Sequence, residues 1–242
     1  MILKRIYSGI FLLFMLSCSK NNTDPTVTPV SNCKIMAASV VTGSGLTLGN
    51  YSFQYNTDGT LAGSLYASGI YSDTVSYKYN GKLIYRSVAA GTNSSVDTIT
   101  LNDAGFEIKD KAQISSSVYL TNYTYDADGL LATFSQQQDA YPANIASFNF
   151  TNGDNTLIIN GTHTDTLVYD ITKPAVMGNL DHFGQLLQFG AFNIKNKHLL
   201  TQEHNGSDHF YTYTYTPEGN IATLKISVGN NSQMVSYTYN CK

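Results

Sequence analysis

The chain has 242 residues, 13% charged, 42% hydrophobic and 12% aromatic, with 18 Tyr, 11 Phe and no Trp. So much Tyr beside abundant Thr, Ser, Asn and Gly suits strands and turns and speaks against a helical fold. The net charge is -3, or -5 (12 basic, 17 acidic) once Lys4 and Arg5 are set aside with a leader, so no nucleic-acid partner is expected: phosphate binding needs a basic stripe, and none is visible.

Residues 1–17 read as a signal peptide. Lys4-Arg5 is a positive start, and Ile6 to Leu16 is an apolar run too short for a comfortable membrane span. It ends in Met15-Leu16-Ser17-Cys18, which resembles the lipobox of bacterial lipoproteins, with Cys18 as the residue that would carry lipid. The alternative is an ordinary secretory signal with Cys18 near its end. Residues 18–32, polar and with two prolines, are an expected flexible tether, and 33–242 an expected single domain. With Cys18 lipidated, Cys33 and Cys241 remain, one at each end of that domain. Exported proteins sit where disulfides persist. A Cys33–Cys241 bridge pinning the first strand to the last is therefore expected, against the alternative of two unpaired thiols.

A repeat follows. Its cleanest copy is Tyr123-Thr-Tyr125-Asp126-Ala-Asp128-Gly129-Leu130-Leu131, an alternating run that meets a glycine turn and leaves as a second apolar run. Related units end their first strand at Tyr55, Tyr79, Leu101, Phe150, Tyr215 and Tyr239, with steps of 24, 22, 24 and 25 residues from Tyr55 to Phe150. A fixed period of this size marks an array of one supersecondary unit, each with room for two strands of about six residues and two turns. Two residues past the turn glycine stand Leu61, Leu83, Leu131 and Ile221, so the returning strand can bury an apolar face; Glu107 breaks the rule in the third copy. Lys173 to Asn205 interrupts the array, with Met177, Leu180, Phe183 and Leu187 at roughly helical spacing. This excursion is a plug, a lid or a binding loop, or else a cap on an open end of the sheet.

The expected fold is all-β: an antiparallel up-and-down meander of about 12 to 16 strands. It forms a barrel or strongly curved half-barrel, with one short helical or irregular excursion near 174–190. Strands of about six residues would be too short to cross a bilayer, so no membrane insertion is expected.

The unit at 123–131, echoed at 53–61 and 213–221, resembles the YD repeat of large bacterial RHS-type proteins. Together with the lipobox, the whole resembles a family of Bacteroidetes outer-membrane lipoproteins with a porin-like fold, and Phe192 to Leu200 resembles that family's Lys-Asn-Leu segment. The resemblance implies an envelope address, facing either the surface or the periplasm, and brings no catalytic residues and no cofactor.

Candidate sites are few. His204 and His209, with Glu203 and Asp208, could offer metal ligands, yet the spacing matches no standard site and none is expected. Asp126 and Asp128 are selected by turn geometry alone. No serine nucleophile elbow, Cys-His pair or phosphate loop is present, so no enzyme is expected; a hydrolase would need Asp181 or His182 to meet another acid. Asp-Thr-aliphatic triplets at Thr74, Thr98 and Thr166 resemble the O-glycosylation acceptor of Bacteroidetes and should lie on loops; the plainer reading is a turn residue and a β-branched strand starter. The rings of Tyr123, Tyr125, Tyr211, Tyr213 and Tyr215 could stack on sugars, but such residues more often fill a curved sheet's interior. The expected function is a lipid-anchored, non-catalytic binding module for glycan or nutrient capture. A structural or adhesion scaffold facing an envelope protein is the alternative.

Overall fold

The computed structural model describes residues 33–91, 93–180 and 196–241. The expected signal peptide, Cys18 and tether lie outside the described residues, as do residues 181–195 of the excursion. Sixteen strands follow in order: β1 (Cys33–Thr42), β2 (Thr47–Tyr55), β3 (Leu61–Ser68), β4 (Tyr71–Asn80), β5 (Leu83–Ala90), β6 (Asn93–Leu101), β7 (Glu107–Ile114), β8 (Ser117–Tyr125), β9 (Leu131–Gln138), β10 (Asn144–Thr151), β11 (Asp154–Asn160), β12 (His163–Pro174), β13 (His198–His204), β14 (Asp208–Tyr215), β15 (Ile221–Val228) and β16 (Asn231–Cys241). Each pairs antiparallel with its sequence neighbours, and β1 pairs with β16 to close the barrel. The turns after β2, β4, β6 and so on share one end with Cys33 and Cys241, called the lower end here; the turns after the odd-numbered strands form the upper end.

The lower turns explain the repeat. Gly59, Gly105, Gly129 and Gly219 hold φ between +77° and +93°, the left-handed region that costs a residue with a Cβ far more than glycine. Asp126 Oδ1 accepts from the amides of Asp128 (3.0 Å) and Leu130 (2.8 Å), and Asn102 Oδ1 accepts from those of Ala104 and Phe106. Each of these turns follows a register shift, as at Thr124/Tyr125 and Thr214/Tyr215. The Asn80-Gly81 turn is tighter and pairs Asn80 directly with Leu83. That changes the phase: Ile84, only 6% exposed, faces inward in this copy, and Leu83, expected to be buried, faces out.

A tyrosine at the lower end of three of the even-numbered strands has a structural task. Its hydroxyl reaches back 18 residues to a backbone carbonyl: Tyr79 to Leu61 (2.8 Å), Tyr125 to Glu107 (2.6 Å) and Tyr239 to Ile221 (2.7 Å). Those carbonyls lie just beyond the point where the ladder to the next strand ends, since β3–β4, β7–β8 and β15–β16 pairing stops at Gly63, Lys109 and Thr223. The phenol satisfies an acceptor the sheet has left open.

The strands run from 7 to 12 residues, longer than the six expected, because each hairpin turn is short and pairing continues almost to it. Length therefore gives no argument against bilayer insertion. Wall polarity does bear on it. The outer face carries Ser72, Thr74, Ser76 and Lys78 on β4, and Lys109, Lys111 and Gln113 on β7. Its large apolar residues are interleaved with polar partners. Leu65 lies between Ser52 and Thr74, Val96 between Ser87 and Gln113, Ile159 between Ser147 and Thr164, and Phe210 between Gln202 and Ser227. A lipid-facing barrel has a continuous apolar band outside; this wall has none among the described residues.

The buried apolar residues pack inside. Ile35, Phe53, Val176, Leu199, Leu200, Ile221, Leu224 and Val235 form one core, and Val75, Tyr77, Ile84 and Ile99 a second. The excursion contributes to the first. The Ile221 amide donates to the Met177 carbonyl, the Tyr239 hydroxyl shares its one proton between the Ile221 carbonyl at 2.7 Å and the Met177 carbonyl at 3.2 Å, and Gly178 sits where a Cβ would lie 2.2 Å from that hydroxyl. On its return, Asp154 (3% exposed) accepts from the His198 amide at 2.9 Å and pairs with His198 Nδ1 at 2.6 Å. The described ends of the excursion thus close part of the lower mouth, between β15–β16 and β10–β11.

Cys33 and Cys241 are opposite one another across the β1–β16 seam and are joined by a disulfide. It closes a loop of 208 residues, which on the chain-entropy account is worth up to about 5 kcal/mol. Replacing both with Ser should lower the urea midpoint and raise the m-value, because the unfolded chain without the cross-link exposes more surface; an unmoved midpoint would mean that backbone pairing alone holds the seam.

Candidate functional site in the barrel lumen

Alternation along each strand divides side chains between wall and lumen. On β4–β8 the lumen receives Tyr77, Arg86, Asp97, Asp110, Glu107 and Tyr123; on β12–β14 it receives His163, Asp165, Glu203, His209 and Tyr211. Toward the upper mouth Tyr119, Gln136, Gln138, Asn144, Asn160 and Gln233 face inward and are half-buried or exposed. Sixteen strands enclose more space than side chains from the wall alone fill. The upper lumen is therefore a vestibule lined by polar and aromatic groups.

The first group is compact. Arg86 on β5 sits opposite Asp97 on β6, and its Nε donates to Asp97 Oδ2; its guanidinium also donates to Asp110 Oδ2 on β7 at 3.1 Å. Asp97 is 2% exposed, Glu107 2% and Asp110 8%. Burial first, and then the neighbouring Asp110 carboxylate, push the Glu107 carboxyl up to about 8 against the opposing pull of Arg86. Burial likewise raises Asp110 to about 6. Tyr123 hydrogen-bonds Glu107, and burial followed by that carboxylate raises its phenol. Glu107, which departs from the leucine rule of the repeat, thus occupies the buried position that Leu131 fills in the next hairpin, and Leu131 is also 2% exposed.

On the opposite wall the Tyr211 hydroxyl donates to Glu203 Oε2 at 2.5 Å, and His209 Nδ1 lies 3.9 Å from the same oxygen. His204 and Asp208, 2.8 Å apart, are exposed on the outer face. Strand alternation therefore splits the four candidate metal ligands between the two sides of the wall. Among the described residues no group of three or more His, Cys, Asp or Glu is placed to hold a metal ion. Asp181 and His182 lie outside the described residues.

The five singled-out tyrosines all face the lumen. Tyr123 and Tyr211 are buried, Tyr125 and Tyr213 half-buried with their hydroxyls on the carbonyls of Glu107 and Leu200, and Tyr215 exposed. Thr74, Thr98 and Thr166 do not lie on loops: they stand within β4, β6 and β12 on the outer face, because the strands begin earlier than the Asp-Thr pairs suggest. Asp126 is engaged by its own turn, as expected. A separate cavity of about 540 Å³ at the lower end lies between Asp126, Asp128, Asn152, Gly153 and Lys197. Sequence reasoning missed Arg86, Asp97 and Asp110. The available signal was alternation, which puts an Arg and an Asp at inward positions of otherwise apolar strands.

No family model and no curated protein matches the chain. Solved structures do. A porin-like protein from Bacteroides uniformis superposes with a TM-score of 0.61 at 16% identity, covering 85% of this chain and 98% of that one. A porin-like protein from Bacteroides vulgatus gives 0.54 at 13% identity, with coverage of 85% and 98%. The likeness is one of fold. It extends the closed meander described above to proteins that share few residues with it.

Linkage fixes what Glu107 does to stability. Its folded pKa lies above the ordinary value of 4.5, so the native state holds a proton that the unfolded chain releases, and stability falls as pH rises from about 4.5 to about 8. Glu107→Gln should flatten that decline, stabilising the protein by a few kcal/mol at pH 8.5 and little at pH 4. Urea unfolding at the two pH values checks this; equal slopes for both proteins would refute it.

Proposed function

We propose that this chain is a lipid-anchored protein of the outer membrane. Its barrel stands off the bilayer and captures a glycan or other polar nutrient in the upper lumen without catalysis. The observation that carries the reading is the distribution of polarity: an outer wall of Ser, Thr, Asn and Lys with no lipid-facing band, around a vestibule of phenols, carboxylates and amides. Rings and hydrogen-bonding groups together are what a polyhydroxylated ligand needs, the ring meeting the sugar face and the polar groups its hydroxyls. Membrane attachment then belongs to lipid on Cys18, not to the strands.

A second reading, an adhesion or scaffold role, is favoured by the upper hairpin tips. Ile70 is 93% exposed, Tyr71 72% and Tyr141 67%, and exposed apolar groups at loop tips suit a protein partner.

Cys18→Ser should move the folded protein from the membrane fraction to the soluble fraction. Retention in the membrane without lipid would make the wall the anchor and overturn the stand-off reading. For capture, titration of the tyrosine fluorescence with a polysaccharide panel should show saturable binding, weakened about tenfold by Glu203→Gln. A flat response across the panel, with envelope proteins recovered by crosslinking at the upper tips, would give the scaffold reading its place.

A further inference from the structure

The cavity at the lower end is built by segments that come from different hairpins. The Asp126–Leu130 turn forms one side, the Asn152-Gly153 turn another, and Lys197 reaches it on the return from the excursion. Its volume of about 540 Å³ lies in the range of small-molecule sites. Leu130 and Phe150 are half-buried and give the lining an apolar part, while Asp126, Asp128 and Lys197 are exposed. The turn fixes the carboxylates. Asp126 commits Oδ1 to the amides of Asp128 and Leu130, which leaves Oδ2 for the cavity. The Asp128 side chain accepts no hydrogen bond from the described residues.

Lys197 is placed by a glycine. Gly153 holds φ at +88°, and a Cβ there would lie 2.4 Å from Lys197 Cε and 2.8 Å from Nζ, so the lysine stem rests where a side chain would otherwise stand. The Lys197 amide donates to the Gly153 carbonyl at 3.2 Å, which ties the stem to this turn. Among the described residues no carboxylate oxygen lies within 4.0 Å of the ammonium. Both signs of charge therefore line one cavity without neutralising each other, with apolar surface beside them. An exposed charge alone is satisfied by water; opposite charges set apart around an apolar surface match a molecule that carries both. A metal ion does not suit, because no group of three or more ligands is placed for one among the described residues and Lys197 would repel it. A neutral sugar would use neither charge. A short peptide uses every part, with an ammonium at one end, a carboxylate at the other and an apolar side chain between.

We propose that this cavity binds a di- or tripeptide as a zwitterion. Its N-terminal ammonium meets Asp126 and Asp128, its C-terminal carboxylate meets Lys197, and an apolar side chain lies against Leu130 and Phe150. The site is at the opposite end of the barrel from the vestibule. It adds a second ligand class to the one captured there and depends on neither glycan binding nor the lipid anchor. Its charges are exposed, so binding weakens as salt rises.

The test follows backbone amides of the isotope-labelled full chain by NMR during titration with the peptide Ala-Leu-Ala. The amides of Gly129, Gly153 and Lys197 should shift saturably. Acetylating the peptide's N-terminus, or amidating its C-terminus, should each weaken binding about fivefold, the value of an exposed charge pair. Asp128→Asn should shrink the loss caused by acetylation and leave that caused by amidation; Lys197→Met should do the reverse. The blocked peptides probe the same charges on the unaltered protein, so the test stands even if a variant folds poorly. Equal affinity for the three peptides would overturn the site. So would the absence of saturable shifts at these amides with millimolar peptide, or saturable shifts confined to vestibule residues such as Tyr119. None of these results bears on glycan capture, which the polysaccharide titration decides separately.

Discussion

Closure between β1 and β16 is the contact on which every other strand pair depends. Its register runs unbroken in direction from Cys33↔Cys241 to Thr42↔Gln233, with one shift near Ile35. Two-stranded hairpins are marginal alone, and a wide open sheet would leave two edges exposing unpaired amides and carbonyls. Bringing the first strand to the last removes both edges at once. It also creates the lumen, and with it a low-dielectric space in which Arg86 and three carboxyls interact more strongly than they could at a surface.

The consequence is a barrel whose outer face interleaves polar and apolar side chains. Hydroxyls, amides and lysines face outward, and the apolar residues of the repeat turn in toward the lower end, where Val176 and Met177 of the excursion pack against them. The lower half is therefore a packed core, while the upper half remains polar and open. Tyrosine suits this division, since its ring joins the core while its hydroxyl serves a carbonyl, as in Tyr125, or a carboxylate, as in Tyr211.

Much of this architecture was legible in the residues. The period near 24, the glycine turns and the alternation of Tyr123, Thr124 and Tyr125 are enough for a closed or nearly closed meander of hairpins, because each records a local backbone requirement. Strand length was misjudged: the outer-face Ser and Thr residues upstream of each Tyr-x-Tyr look like loop but extend the ladder. Leu83 was misplaced because a two-residue turn reverses the phase that a bulged turn preserves. The charged cluster was visible only as the irregularity at Glu107. Its partners Arg86, Asp97 and Asp110 come from different repeats, and which of them meet depends on register between strands, which no single repeat records.

The disulfide places the first and last described residues side by side, with Cα atoms 4.0 Å apart. Apart from this seam, every strand hydrogen-bonds only to the strand before it and the strand after it. In connectivity the barrel is thus a ring that the chain happens to cut at one point. Joining the present ends and opening a different upper turn, such as the exposed Gly69-Ile70 tip, would preserve every strand pair and the whole lumen. The order in which the repeats are written is then a matter of descent and not of physics. A duplicated or deleted hairpin pair would change the circumference of the lumen while leaving its closing principle intact.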